Sequence, residues 1–193
     1  SPGAVAEAGW LGTEVRVQDC EGRTDFRGDL TVTIDGDDAR DFDDAVSVER
    51  RDAGGFTLRV HIADVSHYVQ AGSALDGDAR DRGTSVYFPD RAVHMFPADL
   101  ATGLCSLKPR VDRLVQSCVV DLDAGGEPTR VGFCDGVIRS HARLTYTGVN
   151  AVLTGQPVPG GWGTKCPSRA PRTASQALAT AVSMAASGPP SNS

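Results

Sequence analysis

The sequence predicts an α+β domain, a mixed sheet with hairpins and flanking helices, and three observations carry that expectation. Two pairs of alternating apolar runs flank glycine-bearing turns, one polar segment has the capping pattern of a helix, and a β-branched run ends on an acidic loop. At 193 residues the chain is long enough for one core, since domains usually run to roughly 100 to 150 residues.

In chain order, Leu30 to Ile34 (LTVTI) reads as a strand running into a turn at Asp35-Gly36. AVSVE and FTLRVHIADV then flank Asp52-Ala53-Gly54-Gly55, the pattern of a β-hairpin. Ser73 is placed to cap a helix that carries Ala74, Leu75 and Ala79 on one side and stops at Gly83. DRLVQSCVVDLD and TRVGFCDGVIRS alternate around Ala124-Gly125-Gly126 as a second hairpin. No internal repeat is present.

Charge is spread unevenly. The net charge of -6, from 25 acidic and 19 basic residues, argues against a nucleic-acid binder that works only through a basic surface. No acidic residue follows Asp135, and residues 156–193 are crowded with Pro, Gly, Ala and Ser, with too little apolar bulk to offset ordering entropy. That stretch is expected to be a low-complexity, disordered tail, compatible with an out-of-frame end, and residues 1–20 a linker or the end of a preceding domain. The start lacks Met, which reads as a fragment. Five widely spaced cysteines without a C-x-x-C pair indicate neither a disulfide framework nor a zinc site, so a reducing cytoplasm is the expected location. No apolar run approaches the roughly 20 residues of a membrane span, and SPGAVAEAGW is not a signal peptide.

Chemistry concentrates in TIDGDDARDFDD, where six of the ten residues from Asp35 to Asp44 are aspartates. Like charges so crowded repel unless a cation binds among them, and Mg²⁺ or Mn²⁺ favours carboxylate oxygens. An arbitrary acidic run is usually a solvated turn, but here apolar strands on both sides pin the carboxylates near a core. An EF-hand fails on register: a loop starting at Asp35 would put Ala39 at a ligand position and Arg40 where Gly is needed. Carboxylate-held cations suit phosphodiester hydrolysis, because they clamp the scissile phosphate and help generate hydroxide.

TIDGDDARDFDDAV resembles the active-site motif of the ribonuclease II/ribonuclease R family, the RNB family. The likeness takes in GRTDFRGDLTVTIDG, VHIADVSHYVQAGSALDGDARDRGTSVYFPDRAVHMFP, GLCSLKPRVDRL and SHARLTY, in family order and spacing, so it covers residues 21–155. DARDFDD and GTSVYFPDR are closer to ribonuclease R than to ribonuclease II. The resemblance implies the amino-terminal part of an RNB catalytic domain and a processive 3′ to 5′ exoribonuclease that hydrolyses single-stranded RNA to nucleoside 5′-monophosphates with Mg²⁺. It implies that Asp35, Asp41, Asp43 and Asp44 are the catalytic aspartates, with Asp35, Asp41 and Asp44 chiefly on metal and Asp43 on the chemical step. Asp37 and Asp38 are then bystanders.

Tyr87 matches a family aromatic that stacks on a base near the RNA 3′ end, although by residue type alone it would be a strand tyrosine. Tyr146 matches a second tyrosine at the terminal nucleotide, where a packing role competes more strongly. His61, His67, His94 and His141 are scattered and without a nucleophile partner, so each is expected to hydrogen-bond or face water. Asp64 ends a strand and is a candidate for holding the site indirectly. Lys108, Arg110, Arg113 and Arg143 are candidates for phosphate contact, although such residues usually just face water. The family's later catalytic segments, an arginine near the scissile phosphate and oligonucleotide-binding barrels have no counterpart here. A catalytically incomplete RNA-binding remnant and a plain acidic cation-binding protein therefore stand as alternatives.

Overall fold

The β-branched run after Leu30 continues through Asp35, because its last residues pair with a strand that four residues, ARLT, are too few to announce. A computed structural model describes residues 1–154 and residue 156. Its elements are α1 (Pro2–Trp10), β1 (Thr24–Asp25), β2 (Thr31–Asp35), β3 (Asp44–Arg50), β4 (Phe56–Ala63), α2 (Val65–Tyr68), α3 (Ala74–Arg82), β5 (Val86–Tyr87), β6 (Ala92–Val93), β7 (Asp112–Leu122), β8 (Pro128–Arg139), β9 (Ala142–Thr145) and α4 (Tyr146–Leu153). The expectation for residues 156–193 lies outside the described residues, save Gln156.

Seven strands form one sheet in the order β1-β8-β7-β4-β3-β2-β9, and β5 and β6 form a separate two-stranded ribbon. The interior neighbours are antiparallel, whereas β1 lies parallel to β8 and β9 parallel to β2. The sheet is therefore mixed, as the sequence predicts, and both expected hairpins are present as β3–β4 and β7–β8. The helix after Ser73 is also in place: the Ser73 hydroxyl accepts from the Asp76 N–H at 3.2 Å, and Gly83 ends it at φ 74°.

The main core joins the sheet to the helices and loops around it. Leu75, Leu100, Leu104 and Leu107 pack there with Ala45, Ala63, Val115 and Phe42, all buried. Residues 1–20 contribute to it. Ala4 and Ala8 of α1 join this core, and Glu7 accepts the Leu75 N–H of α3 at 2.9 Å. A smaller cluster of Val32, Ala142, Leu144 and Val149 seats α4 against β2 and β9. That cluster fixes the end of β2 from which the acidic loop departs.

The β3–β4 turn holds Gly54 and Gly55 at φ of 89° and 81°, a region costly for any residue with a Cβ. A Cβ on Gly54 would meet open space, but one on Gly55 would lie 2.1 Å from the Leu122 carbonyl oxygen. Gly54→Ala is therefore expected to cost about 1 kcal/mol. Gly55→Ala should cost several times more, since the β7–β8 end must move. Urea unfolding midpoints at unchanged slope measure both, and equal costs would contradict this account.

Candidate functional site

The acidic loop between β2 and β3 is tethered at its middle by an apolar side chain. Phe42 stands between Asp41 and Asp43 and is buried in the main core, with Asp43 exposed and Asp41 partly buried on either side of it. Its N–H donates to the Ser106 hydroxyl at 3.0 Å, and its carbonyl accepts from the Leu107 N–H at 2.8 Å. The Ser106 hydroxyl in turn donates to the Arg40 carbonyl at 3.0 Å. From β9, Arg143 lies over the Phe42 ring, 5.4 Å from its centroid, and donates to the Gly36 and Asp37 carbonyls. Core burial, backbone bonds and one guanidinium thus shape the loop before any ligand arrives.

The four motif aspartates come from distinct positions on this frame. Asp35 is the last residue of β2, paired in register with Thr145, so it is held by the sheet rather than by a turn. Asp44 opens β3 opposite Ile62, and Asp43 precedes it with its carbonyl accepting the Ala63 N–H at 2.9 Å. Burial raises the Asp35 carboxyl above the usual carboxylate range, and the charges of Asp44 and Asp41 add to the shift. Asp43 is open to solvent over much of its surface, yet protein crowding around the carboxyl raises it too, followed by repulsion from Asp41, Asp44 and Asp35. Asp43 thus feels the other three aspartates, and Asp35 feels Asp41 and Asp44.

An open cleft of about 800 Å³ lies over the loop. Asp35 and Asp41 line it together with Tyr87 and Tyr146, the two aromatics singled out by the sequence. Tyr146 arrives there because it directly follows Thr145, the residue paired with Asp35. Tyr87 arrives on the β5–β6 ribbon, where it pairs with Ala92. Both tyrosines are exposed, at 62% and 63%, so neither is an ordinary core residue. The Tyr87 hydroxyl donates to Asp41, and that bond, more than burial, pushes the phenol up to about 12. Arg40 and Arg91 also line the cleft and are exposed. Residue type alone did not single them out, because basic residues are common on surfaces.

Other candidates fall elsewhere. His61 is fully buried, with Nδ1 2.8 Å from the Ser117 hydroxyl, and burial lowers its pKa to about 4. His67 lies 3.4 Å from Asp19. His94 does approach the site, with Nδ1 3.7 Å from Asp41. Asp64 caps α2 and pairs with Arg23 at 2.7 Å, so it ties down the amino-terminal segment rather than the acidic loop. Arg113 is buried and donates to the Ser106 and Gly103 carbonyls, which corrects its reading as a phosphate contact. Lys108 and Arg110 do not line the cleft, and Arg143 braces it from behind.

The donor set suits a hard divalent cation: carboxylate oxygens dominate, and the Asp35 Oδ2 atom is buried without a hydrogen-bond partner among the described residues. Among those residues no three His, Cys, Asp or Glu side chains already close around one point. The arrangement therefore offers ligands brought near one another but not yet converged, beside two aromatic faces.

A family model described as RNB domain matches residues 23–162. Ribonuclease R of Escherichia coli (strain K12) is 51% identical over 145 residues, which are 75% of this chain and 18% of that protein. Ribonuclease R 1 of Lactococcus lactis subsp. lactis (strain IL1403) is 47% identical over 142 residues, 74% of this chain and 17% of that one. The chain thus spans less than a fifth of the length of these two relatives. Mycoplasma genitalium RNase R in complex with ribose methylated single-stranded RNA superposes with a TM-score of 0.76 at 31% identity, covering 83% of this chain and 25% of that chain. The same enzyme in complex with double-stranded RNA gives 0.74 at 31% identity, over 81% and 28%.

The raised carboxyls make stability depend on pH and cations. Between their unfolded and folded pKa values Asp35 and Asp43 bind more protons in the folded chain, so stability falls as pH rises through that window. Above it the repulsion stands in full. Asp43→Asn is expected to raise the Tm of the metal-free chain at pH 7, and the gain should shrink below about pH 4, where carboxyls protonate in both states. Thermal melts in EDTA at the two pH values decide it, and a Tm at pH 7 that is unchanged or lower would sink the idea.

Proposed function

The chain belongs to the RNB family, and from that premise we propose that it is a catalytic-domain segment of a metal-dependent 3′ to 5′ exoribonuclease. Its substrate is single-stranded RNA and its products are nucleoside 5′-monophosphates. One observation carries this reading: a single cleft joins Asp35 and Asp41 to Tyr87 and Tyr146, so carboxylates for a cation sit beside faces for bases. Residues 21–155 are read as the amino-terminal part of the catalytic domain, 1–20 as a linker or the end of a preceding domain, and 156–193 as a low-complexity tail, although the family match runs on to residue 162.

Asp35, Asp41 and Asp44 would hold Mg²⁺, with Mn²⁺ as substitute, and the unpartnered Asp35 Oδ2 is the clearest ligand atom. Bound there, the cation supplies charge neutralisation at the scissile phosphate and a lowered pKa for water. Asp43, with its raised proton affinity, serves the chemical step by orienting and deprotonating the attacking water. Tyr87 and Tyr146 present ring faces to bases at the 3′ end, each worth about 1 to 3 kcal/mol. Arg40 and Arg91, on the cleft wall, reach backbone phosphates. No described helix is long and apolar enough to cross a membrane. The proposed working compartment is the cytoplasm, where thiols such as those of Cys20, Cys105, Cys118 and Cys134 stay reduced.

A second reading is an RNA-binding remnant of the same fold, favoured by carboxylates that do not close around one point among the described residues. Incubation of an end-labelled single-stranded RNA with the chain and Mg²⁺ separates the two. Stepwise shortening from the 3′ end is expected, abolished in Asp43→Asn with RNA affinity kept within about threefold. Binding without shortening supports the remnant. A chain that binds no RNA leaves only the acidic cation-binding reading, and equal loss of affinity and rate in Asp43→Asn contradicts the role given to Asp43.

A further inference from the structure

The Tyr87 side chain has two ends that do different things. Its ring is 62% exposed in the cleft, while its hydroxyl donates to Asp41 Oδ2, a residue 46 positions earlier in the chain. The hydroxyl engages one carboxylate oxygen, which leaves the other for a cation. The contact is not a loose surface encounter, because the ribbon that carries Tyr87 is itself fixed. Val86 and Tyr87 pair with Val93 and Ala92, the Phe88 N–H donates to the Arg91 carbonyl at 2.8 Å, and the Met95 N–H donates to the Ser85 hydroxyl at 2.9 Å. His94 stands edge-on to the Tyr87 ring at 6.3 Å, and its Nδ1 lies 3.7 Å from the same Asp41 oxygen. Asp41 itself is only 13% exposed at its side chain, so its orientation is set by these neighbours rather than by water.

We propose that Tyr87 is a positioning residue for the cation site, its hydroxyl fixing the Asp41 carboxylate while its ring remains free for a base. Groups that hydrogen-bond to a metal ligand orient it and tune its affinity, and their loss commonly costs about tenfold or more in metal binding. Because one side chain touches both the ligand and the base-binding face, cation and RNA end are linked through it, and each strengthens the other to the same degree. This inference rests on the reading of the acidic loop as a divalent-cation site.

Mn²⁺ affinity of the full chain, read from the electron paramagnetic resonance of free Mn²⁺, tests it without any turnover. Tyr87→Phe keeps the ring and removes only the hydroxyl. It is expected to weaken Mn²⁺ binding about tenfold, with a Tm close to that of the parent chain. Combined with Asp41→Asn, the same substitution should cause no further loss, because its effect runs through Asp41. Unchanged or tighter Mn²⁺ binding in Tyr87→Phe overturns the inference alone, as does a loss that persists in full in the Asp41→Asn background. A parent chain that takes up no Mn²⁺ overturns the cation reading and this inference with it.

Discussion

The acidic loop depends on one apolar contact, the burial of Phe42 between Asp41 and Asp43. Without it, six aspartates in ten residues would spread into solvent to lower their repulsion. Burying a phenylalanine side chain contributes about 1.5 to 3 kcal/mol, whereas two carboxylates about 4 Å apart near a protein surface repel by up to about 4 kcal/mol. The anchor therefore fixes where the charges sit without neutralising them. The Asp35 and Asp43 carboxyls are raised first by burial and then by this repulsion. Protons or a cation must supply what Phe42 does not, and at neutral pH protons are scarce.

Around this anchor the site is assembled from segments far apart in sequence. Ser106 and Leu107 bind the Phe42 backbone, and Arg143 binds the loop's carbonyls from the opposite side. The parallel pairing of β9 with β2 does two tasks at once: it keeps Asp35 in the sheet and delivers Tyr146 to the cleft. The β5–β6 ribbon brings Tyr87 and His94 to Asp41. Each carboxylate thus leans on an element outside its own loop, which explains how the GLCSLKP and ARLTY segments serve a site whose carboxylates they do not contain.

What the sequence made legible was local. The β3–β4 and β7–β8 hairpins and the Ser73–Gly83 helix are set by turn and capping residues a few positions apart, and they appear where those residues put them. Strands of two to four residues, such as β1, β5, β6 and β9, are too short for a period-two pattern, so only the fold reveals them. The end of β2 was displaced by one residue for the same reason, since Asp35 joins the strand through its nonlocal partner Thr145. Among the site residues, the aspartates stood out by density and the tyrosines by family motif. Arg113 was misassigned because a buried guanidinium that braces carbonyls has the same one-letter code as one that meets phosphate. The contact of His94 and the Tyr87 hydroxyl with Asp41 left no trace in spacing at all.

The charge of the whole chain constrains how such a site can hold RNA. With a net charge of -6 it cannot draw its grip mainly from counterion release, which scales with the number of phosphates that basic residues neutralise. Arg40 and Arg91 are the guanidinium groups that line the cleft. On the proposed reading, stacking on Tyr87 and Tyr146 and a cation over the aspartates would carry the contact. On that same reading, the polarity of degradation would follow from where the aromatic faces stand relative to Asp35 and Asp41.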